Sequence, residues 1–363
     1  MRQQVFIDIH KGKNSGEHIN RQPNFELLRI LCMLMVVSLH YLSKGGHLRS
    51  FQETFTINTW MAYGLESFSV VAVNAFVLVT GYFMVNSVFR VQKVISIIGQ
   101  ILFYTVGISC ILLFMGAVPA YGFYQFINDI LPVQMEHYWF MTAYVLLLLF
   151  TPILNIALQK MTEKELRDVL IGLLVFFSLP KTILPITVTI DHKGYDVVWF
   201  LIVYLIGAYI RRYGIPFFKD KKRAVLLYLG AVFLIFLRTC LYGMVYKISG
   251  KLEDQVQEAF HYNHLLNLFA AISFFYIFYH LEIRNKRIQK MIVSVSPYVL
   301  GVYLLHEQLQ VRYLWTTWLG VEKIADSPYF ILHYIGTILL LFVAGVFVEW
   351  FRQAVLRMIR RNK

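Results

Sequence analysis

The chain has 363 residues, 58% of them hydrophobic and 15% charged, against about 25% charged in a soluble domain. That composition disfavours a water-soluble globule, and 30 Phe, 23 Tyr and 6 Trp exclude disorder. The formal charge of +13 would suggest nucleic acid for a soluble protein; here basic loops facing anionic lipid account for it, and no nucleic-acid partner is expected. Cys32, Cys110 and Cys240 lie in apolar runs without metal or disulfide spacing and read as small core residues.

Residues 1–24 are polar, lack the apolar core and cleavage site of a signal peptide, and read as a cytoplasmic tail. Ten apolar segments follow, at roughly 25–42, 66–85, 94–116, 138–158, 167–180, 196–210, 224–246, 260–281, 291–311 and 329–350. A crossing helix takes about 20 residues, so the fifth and sixth are short enough to be tilted or re-entrant. With the N-terminus inside, 24 of the 34 Lys and Arg residues fall in cytoplasmic parts, eight in outer loops, Lys44 and Arg312 among them, and Arg29 and Arg238 inside helices. The expected fold is an all-α integral membrane protein with about ten transmembrane helices and both termini cytoplasmic. Residues 25–350 form the membrane domain and 351–363 a basic tail.

Ionisable side chains inside such segments cost several kcal/mol and mark functional positions. In the first helix, FELLRILCMLMVVSLHY, Glu26 and Arg29 are three apart and so are neighbours. Arg29 and His40 are eleven apart, about three turns, on one face and roughly 16 Å apart. His306, in the ninth segment, lies about as deep as His40, roughly 22 Å from the inner face. Arg238, in the seventh, reaches nearly the same level, and Asn74, from the second, could reach it from the opposite direction. Glu307 follows His306 but should point about 100° away around a continuing helix. Two histidines, an arginine and a carboxylate at one depth suggest a site. The plainer reading is that Arg29 pairs with Glu26 and snorkels, and that the others are separate polar spots.

On the inner side, Arg90 and Lys93 are three apart where the third segment should begin as a helix, a place suited to phosphate. Ordinary positive-inside loop charge is the simpler alternative. His137, Tyr138 and Trp139 open the fourth segment at an outer aromatic belt, and Pro152 should kink or end that helix. Thr80 and Gly81 favour close helix packing, and His261 and His264 read as solvated. There is no Walker motif, zinc spacing or nucleophile elbow, so no metal is expected.

Taken together, these motifs resemble the membrane acyltransferase-3 family, bacterial multi-pass enzymes that O-acylate cell-surface glycans. The resemblance rests on Arg29 with His40, VNAFVLVTGYF, the Arg90/Lys93 pair, HYWFMTAYVLLLLFTPILN and GVYLLHEQ. Lys93 stands where the family carries a second arginine, keeping charge but losing a bidentate fork, and Thr80 replaces a serine.

The resemblance implies a multi-pass protein of the bacterial cytoplasmic membrane. It moves an acyl group, acetyl first, from cytoplasmic acyl-CoA to a hydroxyl of a lipid-linked or exported polysaccharide. Arg29, Arg90 and Lys93 would hold the donor, acetyl-CoA. His40 would be the general base, with His306 and Glu307 as partners, and Asn74, Trp139 and Arg238 would face the acceptor. Direct transfer and a covalent acyl-histidine are both open. The rival readings are a non-catalytic polysaccharide exporter or flippase on the same fold and a small-solute transporter.

Overall fold

The computed structural model describes residues 21–117, 121–186 and 192–361. The expected N-terminal tail lies outside the described residues up to residue 20, as do residues 362 and 363. All regular structure among the described residues is helical. The N-terminal half comprises α1 (Pro23–Lys44), α2 (Ile57–Ser69), α3 (Ala72–Met84), α4 (Val91–Phe114), α5 (Phe123–Ile130), α6 (Trp139–Lys160), α7 (Glu163–Phe177) and α8 (Leu179–Ile183). The C-terminal half comprises α9 (Val197–Tyr213), α10 (Lys221–Ser249), α11 (Glu253–Val256), α12 (Leu265–Tyr279), α13 (Lys286–Val295), α14 (Val299–His306), α15 (Leu314–Trp318) and α16 (Phe330–Arg361).

Local signals account for several boundaries. Pro23 opens α1, where a missing N–H costs nothing. Thr162 and Glu165 cap α7 reciprocally. The Asp196 and Asp220 carboxylates accept from Trp199 and Arg223 backbone N–H groups to start α9 and α10. Pro152 neither ends α6 nor shortens it, since the helix runs on to Lys160.

Seven stretches among the described residues are long and apolar enough to cross a bilayer: Pro23–Lys44, Ile57–Met84, Val91–Phe114, Trp139–Lys160, Lys221–Ser249, Lys286–His306 and Phe330–Arg360. The fifth, sixth and eighth expected segments are helical but span only 15, 17 and 15 residues, about 22–26 Å of rise against a hydrocarbon core of roughly 30 Å. Large apolar side chains such as Phe233, Leu241, Leu332 and Phe347 are exposed on α10 and α16, as lipid-facing surfaces require. The chain is an all-α integral membrane protein.

The ninth segment departs from expectation. Its helix stops at His306 rather than near 311. The Gln308 side-chain oxygen takes the backbone N–H groups of Gln310 and Val311, replacing helical acceptors and turning the chain.

α1 is the central element. It packs against α2, α3, α12, α13, α14 and α16, and Leu28, Cys32, Val37, Tyr41 and Leu42 along it are fully buried. Arg21, just before α1, donates to Ser296 Oγ, and Gln353 on α16 donates to the Pro297 carbonyl. The start of α1 and the C-terminal part of α16 therefore share one face of the bundle.

α3 crosses α9 with the two backbones in close approach. A side-chain carbon on Gly81 would run into the Tyr204 carbonyl, and one on Gly207 into the Leu78 carbonyl. Gly81, noted in the sequence, and Gly207, which was not, thus let two backbones touch. Gly207→Leu should force the crossing apart and cost about 1–3 kcal/mol, read as a fall in Tm in detergent. Gly172→Ala, which meets nothing within 4 Å, should leave Tm within a degree or two. Equal behaviour of the two variants would contradict the close-approach account.

Candidate active site

α1 carries Arg29 and His40 along one wall of a cavity of about 200 Å³. Val73, Phe76 and Thr80 of α3, the start of α6 from Trp139 to Tyr144, and Val299, Leu300 and Tyr303 of α14 complete it, with Tyr262 at the His40 end. Its lining is mostly apolar and aromatic. Arg29 donates to Glu26 Oε1 at 2.7 Å, so the pairing with Glu26 and the place in the cavity wall are both realised.

At its far end the two histidines meet. His40 Nδ1 lies 2.8 Å from His306 Nε2, and His306 Nδ1 lies 2.5 Å from the Val302 carbonyl. A carbonyl can only accept, so His306 carries its proton on Nδ1 and presents a bare Nε2. His40 must then donate from Nδ1, which leaves His40 Nε2 as an unprotonated lone pair on the ring that lines the cavity.

Glu307 completes this group in a way the helical projection missed. Because α14 ends at His306, Glu307 leaves the helix, and its Oε1 lies 3.3 Å from His40 Nδ1 and bonds the Lys44 ammonium. Lys44 was read from the sequence only as an outer-loop charge. Its position four residues after His40, on the same helix face, was the available signal. The pair is compensated: a carboxylate or ammonium left alone here would be costly.

His40, His306 and Glu307 also offer three donor atoms within 4.8 Å of one another, a spacing open to a metal. The chemistry of the set fits a proton better. The two imidazole nitrogens are at hydrogen-bond distance from each other, and the Lys44 ammonium already occupies the cation position on Glu307.

A second cavity, of about 340 Å³, lies on the other side of this group, lined by residues 136–139, Tyr195, Tyr303, Glu307 and Arg312. Trp139 and Tyr303 belong to both cavities. His40 faces one and Glu307 the other, so the dyad stands at the partition.

The remaining expected site residues fall elsewhere. Asn74 is 1% exposed, and its amide is taken up by Trp199 Nε1 at 2.8 Å, the Tyr262 carbonyl at 2.7 Å and Asn267. It holds the Tyr262 loop, whose ring stacks on Trp139 at 5.7 Å, and so shapes the wall rather than contacting its contents. Arg238 binds Glu258 at 3.0 Å and the Gln255 carbonyl at 3.2 Å, away from the histidines, and lines neither cavity. Arg90 precedes α4 and Lys93 lies in its first turn, both exposed and neither in the cavity wall. His264 is fully buried rather than solvated, and its Nδ1 accepts from Leu266 N–H at the start of α12.

The second cavity has its own locked histidine. His137 donates from Nδ1 to Asn128 Oδ1 at 2.7 Å and accepts at Nε2 from Leu309 N–H at 3.3 Å. Burial, reinforced by the charge of Arg312, pushes it down to about 4. His47, packed on Tyr41 and Phe330, is likewise pushed down to about 4, chiefly by burial. Unfolded histidine titrates near 6.5, so in this window the unfolded chain binds more protons. Stability is intact above pH 6.5 and falls as pH drops toward 4, by at most about 1.4 kcal/mol per pH unit for each histidine. Tm should decline over that range, less steeply in His137→Gln. Parallel slopes in the two proteins would contradict the assignment.

The largely apolar cavity thus ends at a hydrogen-bonded histidine pair inside an all-helical body. A family model described as an acyltransferase domain matches residues 22–351, nearly the whole chain, and the protein belongs to this acyltransferase-3 family. No curated protein and no solved structure matches it.

Proposed function

We propose that this membrane acyltransferase moves an acetyl group from cytoplasmic acetyl-CoA to a hydroxyl of a lipid-linked or cell-surface polysaccharide. The observation that carries the reading is His40, with Nε2 as its one free nitrogen, in the wall of the first cavity, while Glu307, 3.3 Å from its Nδ1, lines the second. The largely apolar cavity running from Arg29 suits a pantetheine arm and its thioester. The second, with charged and aromatic walls, suits a sugar.

The charged nucleotide end of the donor cannot enter lipid cheaply. Arg29 at the cavity wall, and Arg90 with Lys93 at the start of α4, are the candidate partners for its phosphates. An acceptor hydroxyl at His40 Nε2 gives up its proton as its oxygen attacks the thioester carbonyl. The C–S bond then breaks, and the thiolate of CoA takes the proton back from the imidazolium. Glu307, 3.3 Å from His40 Nδ1, stabilises that imidazolium while it lasts. An acyl-imidazole route would use the same lone pair, so both routes need this tautomer.

The test is transfer of labelled acetyl from acetyl-CoA by purified protein in lipid, with host surface glycan as acceptor. His40→Ala should lower transfer by about 10²- to 10⁴-fold while the protein stays folded. Arg90→Ala should raise KM for acetyl-CoA. Full activity of His40→Ala would overturn the assignment of the base. A wild type that neither binds acetyl-CoA nor transfers would favour an exporter.

A further inference from the structure

Arg312 lines the second cavity, yet the reaction just described gives it no task. Its Nε is buried without a hydrogen-bond partner, and no carboxylate of the described residues lies within ion-pair distance of its guanidinium. Its contact is the face of Tyr313, 5.5 Å from the ring centroid.

The charged neighbours do not cancel it. Glu307 is bound by Lys44 and lies beside His40. Glu136 sits exposed at the rim, on backbone turned to a φ of 53°, and forms no ion pair with Arg312. His137 is held neutral between Asn128 and Leu309. One positive charge is therefore left unmatched in a cavity whose walls also offer Trp139, Tyr195 and Tyr303, the flat aromatic surfaces against which sugar rings pack.

We propose that Arg312 is an anion subsite for the acceptor, holding a carboxylate or phosphate carried by the sugar whose hydroxyl reaches His40. A guanidinium binds either group through paired N–H donors, and fixing the charged end would orient the hydroxyl. The assignment of that anion to the acceptor rests on the acyltransfer reading. The subsite itself rests on the unmatched charge.

Binding tests it without turnover. The purified full-length protein in lipid nanodiscs is titrated, by tryptophan fluorescence, with methyl glucuronide, glucose 1-phosphate and neutral methyl glucoside. At least one charged sugar should bind roughly 10- to 100-fold more tightly than the glucoside, with the preference shrinking as salt is raised. Which of the two does so distinguishes an acidic sugar from a sugar phosphate. Arg312→Gln should bring the preference close to one, and Arg312→Lys should retain part of it. No preference in the wild type, or a preference that survives Arg312→Gln, overturns the proposal. Should Arg312→Gln fail to fold, the wild-type preference and its retention in Arg312→Lys decide. A protein that binds the charged sugar but transfers no acetyl contradicts the acyltransfer reading and leaves the subsite standing.

Discussion

The hydrogen bond from His306 Nδ1 to the Val302 carbonyl sets the proton positions of the whole centre. It closes a loop within α14 and fixes one tautomer. That forces His40 to donate to His306 and leaves one lone pair on the cavity side. A free imidazole in water exchanges its tautomers, but here the exchange would break two hydrogen bonds in a water-poor site, where an unmade bond is costly. Glu307 and Lys44 extend the same logic: each compensates the other, and the carboxylate stays close enough to balance a proton on His40.

This arrangement depends on helix geometry. α1 is straight enough to carry Arg29 and His40 on one face, and its central position in the bundle puts that face against α3, α14 and the start of α6. The contact between α3 and α9 through Gly81 and Gly207 draws together the elements behind the cavity, while Asn74 fixes the Tyr262 loop against Trp139. Residues two or three contacts away from the chemistry thus set the shape of the passage.

Much of this was legible in the sequence because helical rise is regular. Counting residues from the inner face put His40 and His306 at one depth, and they lie in hydrogen-bond contact. The eleven-residue interval likewise put Arg29 and His40 on one wall. The same counting misplaced Glu307, because nothing in the hydrophobic pattern shows that the helix stops at His306, where Gln308 side-chain bonds turn the chain. It misjudged Asn74 and Arg238 for a related reason. Depth is a property of one helix, but partnership is decided by loops such as 255–262, which the apolar pattern does not position. Lys44 and Arg312 were counted only as outer charges, although one lies a helical turn beyond His40 and the other five residues beyond Glu307.

The central claim concerns where two protons sit, so the most direct measurement is of those protons. Nitrogen-15 spectra of histidine-labelled protein in lipid, assigned with His40→Gln and His306→Gln, report the tautomer of each ring. The account predicts Nδ1-protonated His306 and Nδ1-protonated His40, both bare at Nε2. A His40 protonated at Nε2, or a His306 whose proton lies on Nε2, would remove the lone pair on which the proposed chemistry depends.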